Sequence, residues 1–170
     1  MARTAKQNSD RSAACHEYRK SVGDECEIGR LERRLKKTLV EPDDLGWITR
    51  NRAMGVEVHH ITARSNNPLK ESTPNLIVVS TRVHDWIERH APARGEILSL
   101  YCKFRKWQHR REIGIIDSPD VADWNVPLMD GLVSPHVSLK GHIEVLMTKC
   151  RGTCYIGYAE SLLKAIEGSK

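Results

Sequence analysis

VEVHHITARSNNPLKESTPNLIVVSTRVHDWIERH, residues Val56–His90, holds four of the chain's eight histidines, and its reading decides the fold. Val56–Ile61 is β-branched enough for a strand, and Leu76–Val79 is an apolar run short enough for a second. Between them, Ser65-Asn66-Asn67-Pro68 and Ser72-Thr73-Pro74-Asn75 carry turn chemistry. Ser80 or Thr81 is placed to cap a helix that has Val83 and Ile87 on its apolar side and ends before Pro92. The local plan is strand, long loop, strand, helix. The fold class expected is therefore α+β, a mainly helical single domain around a hairpin-plus-helix core.

The flanks supply the helices. Ile28, Leu31, Leu35 and Leu39 recur at helical spacing between Cys26 and Val40, with Arg30, Arg33, Arg34, Lys36 and Lys37 on the remaining circumference, and Pro42 stops the run. Gly95 to about Glu112 predicts a second basic helix, with Ile97, Leu98, Tyr101 and Phe104 inward and Lys103, Arg105, Lys106, Arg110 and Arg111 outward. Leu45–Arg52, with Trp47, reads as a connector packed on the central stretch. Ser118-Pro119-Asp120 predicts a cap and a short helix from Val121 that Pro127 limits, so Asp117, Asp120 and Asp123 are capping acids rather than a metal cluster. Tyr158–Glu167 predicts the last helix. Residues 1–14 are polar, without periodicity, and read as a flexible basic arm, which leaves 15–170 as the domain.

Composition bounds the partners. The chain's 170 residues, 39% hydrophobic and 29% charged, suit one soluble globular unit, and the net charge of +5 suits an anionic partner. Five cysteines, an odd number without dense spacing, point to a reducing cytoplasm, with Cys150 and Cys154 read as small hydrophobic or surface residues rather than half a zinc site. No apolar h-region or membrane-length run is present.

Neutral imidazoles bind divalent metals, and an imidazole also serves as a general base near neutral pH. Adjacent residues of a strand face opposite ways, so His59 and His60 divide these jobs unless the strand ends or twists between them. His84, on the helix that packs across the hairpin, meets the metal from the opposite wall. Glu88, one turn on, is a further ligand candidate, and Asn75 at the loop-to-strand junction is placed to hydrogen-bond backbone and hold the base in one orientation.

Through EVHHI at 57–61, PNLIVVS at 74–80 and the VHDWI that carries His84, the stretch resembles the HNH endonuclease family, the ββα-metal nucleases, and is similar to its phage or mobile-element members; the likeness covers about a fifth of the chain. The resemblance implies metal ligands at His59 and His84, a general base at His60, the central asparagine at Asn75, and an additional ligand at Glu88. It implies one divalent ion, Mg2+ or Mn2+ with Zn2+ or Ni2+ as alternatives, and hydrolysis of DNA phosphodiester bonds in a bacterial or phage-infected cytoplasm. No Cys-x2-Cys pairs flank the motif, so the structural zinc of many relatives is not expected. Arg64, Arg82, Arg94, Lys103, Arg105 and Lys106 are the candidate nucleic-acid contacts. Left open are a homodimer, a non-cutting nucleic-acid-binding or assembly module that retains the fold, and a nuclease for RNA or branched DNA.

Overall fold

A computed structural model of the protein describes residues 5–40, 55–62, 67–115 and 124–168. Helices α1 (Ala5–Val22) and α2 (Glu27–Leu35) precede strand β1 (Val56–His60), and two single 3-10 turns, Pro68–Glu71 and Thr73–Asn75, lead into β2 (Leu76–Ser80). Helix α3 (Thr81–Asp85) continues as a π-helical turn, Trp86–His90, and α4 (Pro92–Glu112), α5 (Val126–Val133), α6 (Leu139–Lys149) and α7 (Tyr155–Gly168) follow. The chain is mainly helical around a small antiparallel sheet, as the sequence predicts. β1 and β2 pair with Val58 opposite Val78 and His60 opposite Leu76.

Strand alternation sorts the sheet into two faces. Leu76 and Val78 cluster with Tyr18 of α1, and Val56 and Val58 pack against them. Ile77 and Val79, on the other face, join the main core with Val83 and Ile87. Helix α4 runs through that core, burying Ile97, Leu98, Leu100, Tyr101 and Phe104 against α7, α2 and α6. Gly95 sits where α4 passes the π turn: a Cβ there would overlap the side chain of Ile87.

The π turn has a local cause. Pro92 drives its preceding residue out of the α region, and Ala91 sits at φ −144°, ψ 55°. Its N–H reaches back five residues to the carbonyl of Trp86, 2.9 Å away.

Several expectations are corrected. The flexible arm is helical from Ala5 on: Ala5–Val22 contains no Gly or Pro, and Tyr18, with Cys15 and Val22 beside it, covers one sheet face. Helix α2 stops at Leu35, well before Pro42, because Lys36 turns left-handed at φ 50° and Leu39 and Val40 fold back into the core. Trp124 is buried but not helical, and Pro127 opens α5 rather than limiting it, since proline fits a first helical turn. Lys103, expected outward, is buried. The Pro42 stop, the Trp47 connector, Arg64 and the three aspartates at 117, 120 and 123 lie outside the described residues.

Lys103 is buried because Glu27 is. The Glu27 carboxylate accepts the Tyr18 hydroxyl at 2.8 Å, the Val78 N–H at 2.8 Å and Lys106 Nζ at 3.1 Å. Lys103 donates to Tyr18 Oη and to the Thr73 carbonyl. Burial alone would raise the Glu27 pKa; the charges of Lys103 and Lys106, with the Val78 and Tyr18 hydrogen bonds, outweigh it and hold the carboxyl below its usual 4.5. Its contribution to stability is thus complete above pH 4.5 and lost as pH falls through the lowered value. Glu27→Ala should cost about 3–5 kcal/mol in urea unfolding at pH 7, the scale for leaving a buried partner charge unpaired. An unchanged midpoint would show that the network holds nothing together.

Candidate metal centre

The sheet face that carries Ile77 and Val79 also presents His59, and α3 crosses it. Ser80 caps α3 by accepting the Val83 N–H at 3.3 Å, and buried Val83 and Ile87 fix the helix's rotation. His84 and Glu88 therefore project from α3 and the π turn toward His59. One ligand atom from each of these three side chains lies within 4.8 Å of the others. His59 Nδ1 is 3.5 Å and His84 Nε2 3.9 Å from the same oxygen of Glu88, and the two imidazole rings stand edge-on with centroids 5.1 Å apart.

Glu57 is a member that the sequence reading missed. It lies two residues before His59, on the same strand face, and its carboxylate stands 3.3 Å from His84 Nδ1. The period of two along β1 was the available signal. Glu57 orients the His84 ring from behind, as carboxylates do beside metal-bound imidazoles.

A cleft of about 620 Å³ opens over the cluster, bordered by Glu57, His59, His60, Asp85 and Arg89 among others. Arg89 pairs with Asp85 at 2.6 Å. With Glu57, Asp85 and Glu88 set against Arg89, acidic groups dominate the rim, which suits a cation. His59 itself is buried at 5% exposure. Burial, then the neighbouring charges of His84 and His60, lower its pKa to about 4, so its lone pair is available at neutral pH. Two imidazoles and a carboxylate are a donor set for a divalent metal.

His60 goes elsewhere. It is the last residue of β1, and its side chain leaves the opposite face. Its Nε2 lies 2.9 Å from Oε2 of Glu71, in the turn after the loop, and the ring is buried. The doublet thus splits, with His59 in the cluster and His60 beside Glu71, although both border the cleft.

Asn75 is fully buried and welds the loop shut. Its Oδ1 accepts from Thr62 N at 2.8 Å and Thr62 Oγ1 at 3.0 Å, while Nδ2 donates to the carbonyls of Thr62 at 3.2 Å and Lys70 at 2.9 Å. Its own carbonyl accepts the Ile61 N–H at 2.9 Å. Asn75 therefore fixes the backbone that follows His60 and the turn that carries Glu71.

Of the candidate nucleic-acid contacts, Lys103 is internal, Lys106 pairs with Glu27, and Arg94 lies over the Tyr155 ring at 5.9 Å. Arg82 and Arg105 are half-buried. His90 is exposed at the end of the π turn, and His142 pairs with Glu96 at 2.6 Å, away from the cleft. Cys150 is buried and Cys154 exposed. No helix among the described residues is long and apolar enough to cross a membrane. No family model, curated protein or solved structure matched the chain.

Asn75→Ala removes four side-chain hydrogen bonds and strands buried partners. It should lower stability by about 2–4 kcal/mol; equal denaturation midpoints for variant and parent would contradict its role as the weld. The His59 pKa gives a second expectation. A histidine lowered from 6.5 to about 4 contributes stability that is present above pH 6.5 and lost as pH falls toward 4. In metal-free protein, His59→Gln should therefore flatten the loss of stability between pH 7 and pH 5 by about 2 kcal/mol. Parallel pH profiles would show that His59 is not held neutral by burial.

Proposed function

We propose that the chain is a metal-dependent endonuclease of the HNH type, hydrolysing phosphodiester bonds of DNA. The observation that carries this is the convergence of His59, His84 and Glu88 on a strand–strand–helix unit whose connecting loop is closed by Asn75. These three side chains are the ones to hold a divalent ion. Their nitrogen-rich set favours Mn2+, Ni2+ or Zn2+ over Mg2+, which prefers oxygen donors. When bound, such an ion supplies Lewis acidity, polarising the phosphoryl group and offsetting charge on the departing 3′-oxygen.

The chain's own groups do the rest. Glu71 lies 2.9 Å from His60 Nε2 and orients the imidazole that takes a proton from the attacking water. Asn75 holds the backbone on which that imidazole hangs. The acidic rim of Glu57, Asp85 and Glu88 repels phosphate, so substrate enters productively only once a cation offsets that charge. Arg89 borders the cleft, and Arg82 and Arg94 lie near it in sequence as candidate phosphate contacts; Lys103 is withdrawn from that role.

Purified protein should nick plasmid DNA with Mn2+ or Ni2+ and stop with EDTA. His59→Ala and His84→Ala should weaken metal binding by calorimetry. His60→Ala should keep fold and Mn2+ affinity while cleavage falls at least about a hundredfold, the scale of a lost general base. A failure to cut duplex, single-stranded or branched DNA, or RNA, with any of these ions would overturn the proposal, and full activity of His60→Ala would remove His60 as the base.

A further inference from the structure

A second convergence of metal-binding side chains lies on the other face of the sheet. Cys15 of α1, His60 of β1 and Glu71 of the turn after the loop each offer a ligand atom within 4.8 Å of the other two. His60 Nε2 is 2.9 Å and Cys15 Sγ 4.0 Å from the same Glu71 oxygen. Donor atoms around a tetrahedral zinc stand roughly 3.3–3.8 Å apart, given bonds of about 2.0–2.3 Å. The separations of 2.9 and 4.0 Å to Glu71 lie within about half an ångström of that range. The site is built: His60 is buried at 6% exposure, Cys15 and Glu71 are half-buried, and Asn75 anchors the backbone on both sides of the loop.

We propose that Cys15, His60 and Glu71 form a second metal site, selective for zinc through its thiolate, that clamps α1 to the sheet and withdraws His60 from proton transfer. A thiolate, an imidazole and a carboxylate together suit Zn2+ and disfavour Mg2+ and Mn2+, whereas the His59, His84, Glu88 cluster has no sulfur. Binding releases the Cys15 thiol proton to solvent. It also takes Nε2 of His60, so the ring's remaining proton moves through solvent to Nδ1. Nδ1 then carries hydrogen and accepts none. The same ion that fastens α1 therefore disarms the base. The binding site stands on the geometry alone; the loss of activity rests on the nuclease reading above.

Cobalt distinguishes the two sites, because only thiolate ligation gives strong thiolate-to-metal charge-transfer absorption in the near ultraviolet. Full-length protein titrated with Co2+ should develop that band, His84→Ala should keep it, and Cys15→Ser should lose it. Zn2+ should bleach the band by displacement. Glu71→Gln should retain the band but require at least tenfold more metal, which decides the question if Cys15→Ser fails to fold. Absence of the band in the parent protein, or its survival in a folded Cys15→Ser, would overturn the site. With Mn2+-loaded enzyme, one further equivalent of Zn2+ should slow plasmid cleavage at least tenfold more in the parent than in Cys15→Ser. A band that follows Cys15 without any slowing keeps the metal site and overturns the withdrawal of His60.

Discussion

The buried carboxylate of Glu27 is the joint on which the other elements depend. Two strands alone are marginal in water, and among the described residues β2 has an outer edge with no strand beyond it. Glu27, from α2, accepts the N–H of Val78 at the middle of that edge, which ends the sheet with a side chain instead of a third strand. The same carboxylate takes the Tyr18 hydroxyl from α1 and Lys106 from α4. Four elements thus meet at one charged group. Such a group is costly to bury, and the two lysines and the Val78 and Tyr18 hydrogen bonds make it tolerable. Because each partner is needed to satisfy the others, the arrangement of α1, α2 and α4 around the sheet has little freedom to vary.

Within that frame, the pleat of one five-residue strand divides the chemistry. Glu57 and His59 face α3, while Val58 and His60 face α1 and the turn that carries Glu71. Each face acquires its own carboxylates, and the two sets of side chains do not compete for the same space. A one-residue slip of β1 would exchange the two sets, placing His60 against α3 and His59 against Cys15. The Asn75 contacts to Thr62 and Ile61 prevent that slip by fixing the strand exit at both backbone and side chain.

The strand, loop, strand, helix order was legible because each piece is local: β-branched runs, turn residues, a serine cap and a proline stop all act within a few residues. Asn75 as a backbone anchor followed from its place at a turn. What escaped was what depends on partners distant in the chain. Lys103 has the charge of a surface residue, and nothing nearby in sequence announces Glu27, which lies on another helix. Glu71 and Cys15 reach His60 across 11 and 45 positions, and only the folded loop and the docked α1 bring them there. The helix of α1 was obscured because one sparse apolar stripe, with Cys15, Tyr18 and Val22, is all it needs to cover a two-stranded face.

Gly95 brings no side chain to the cleft, yet it governs how evolution can treat the groups there. The absent side chain at this position is what lets α4 press against Ile87, and the turn that holds Ile87 also holds Glu88. A larger residue would overlap Ile87, and relieving that overlap displaces the turn that forms one wall of the cleft while leaving the histidines intact in the sequence. Inspection of the histidines alone would then misjudge such a descendant. Whether a related chain keeps this cluster is better read from the small residue on the neighbouring helix together with His59, His84 and Glu88 than from those three by themselves.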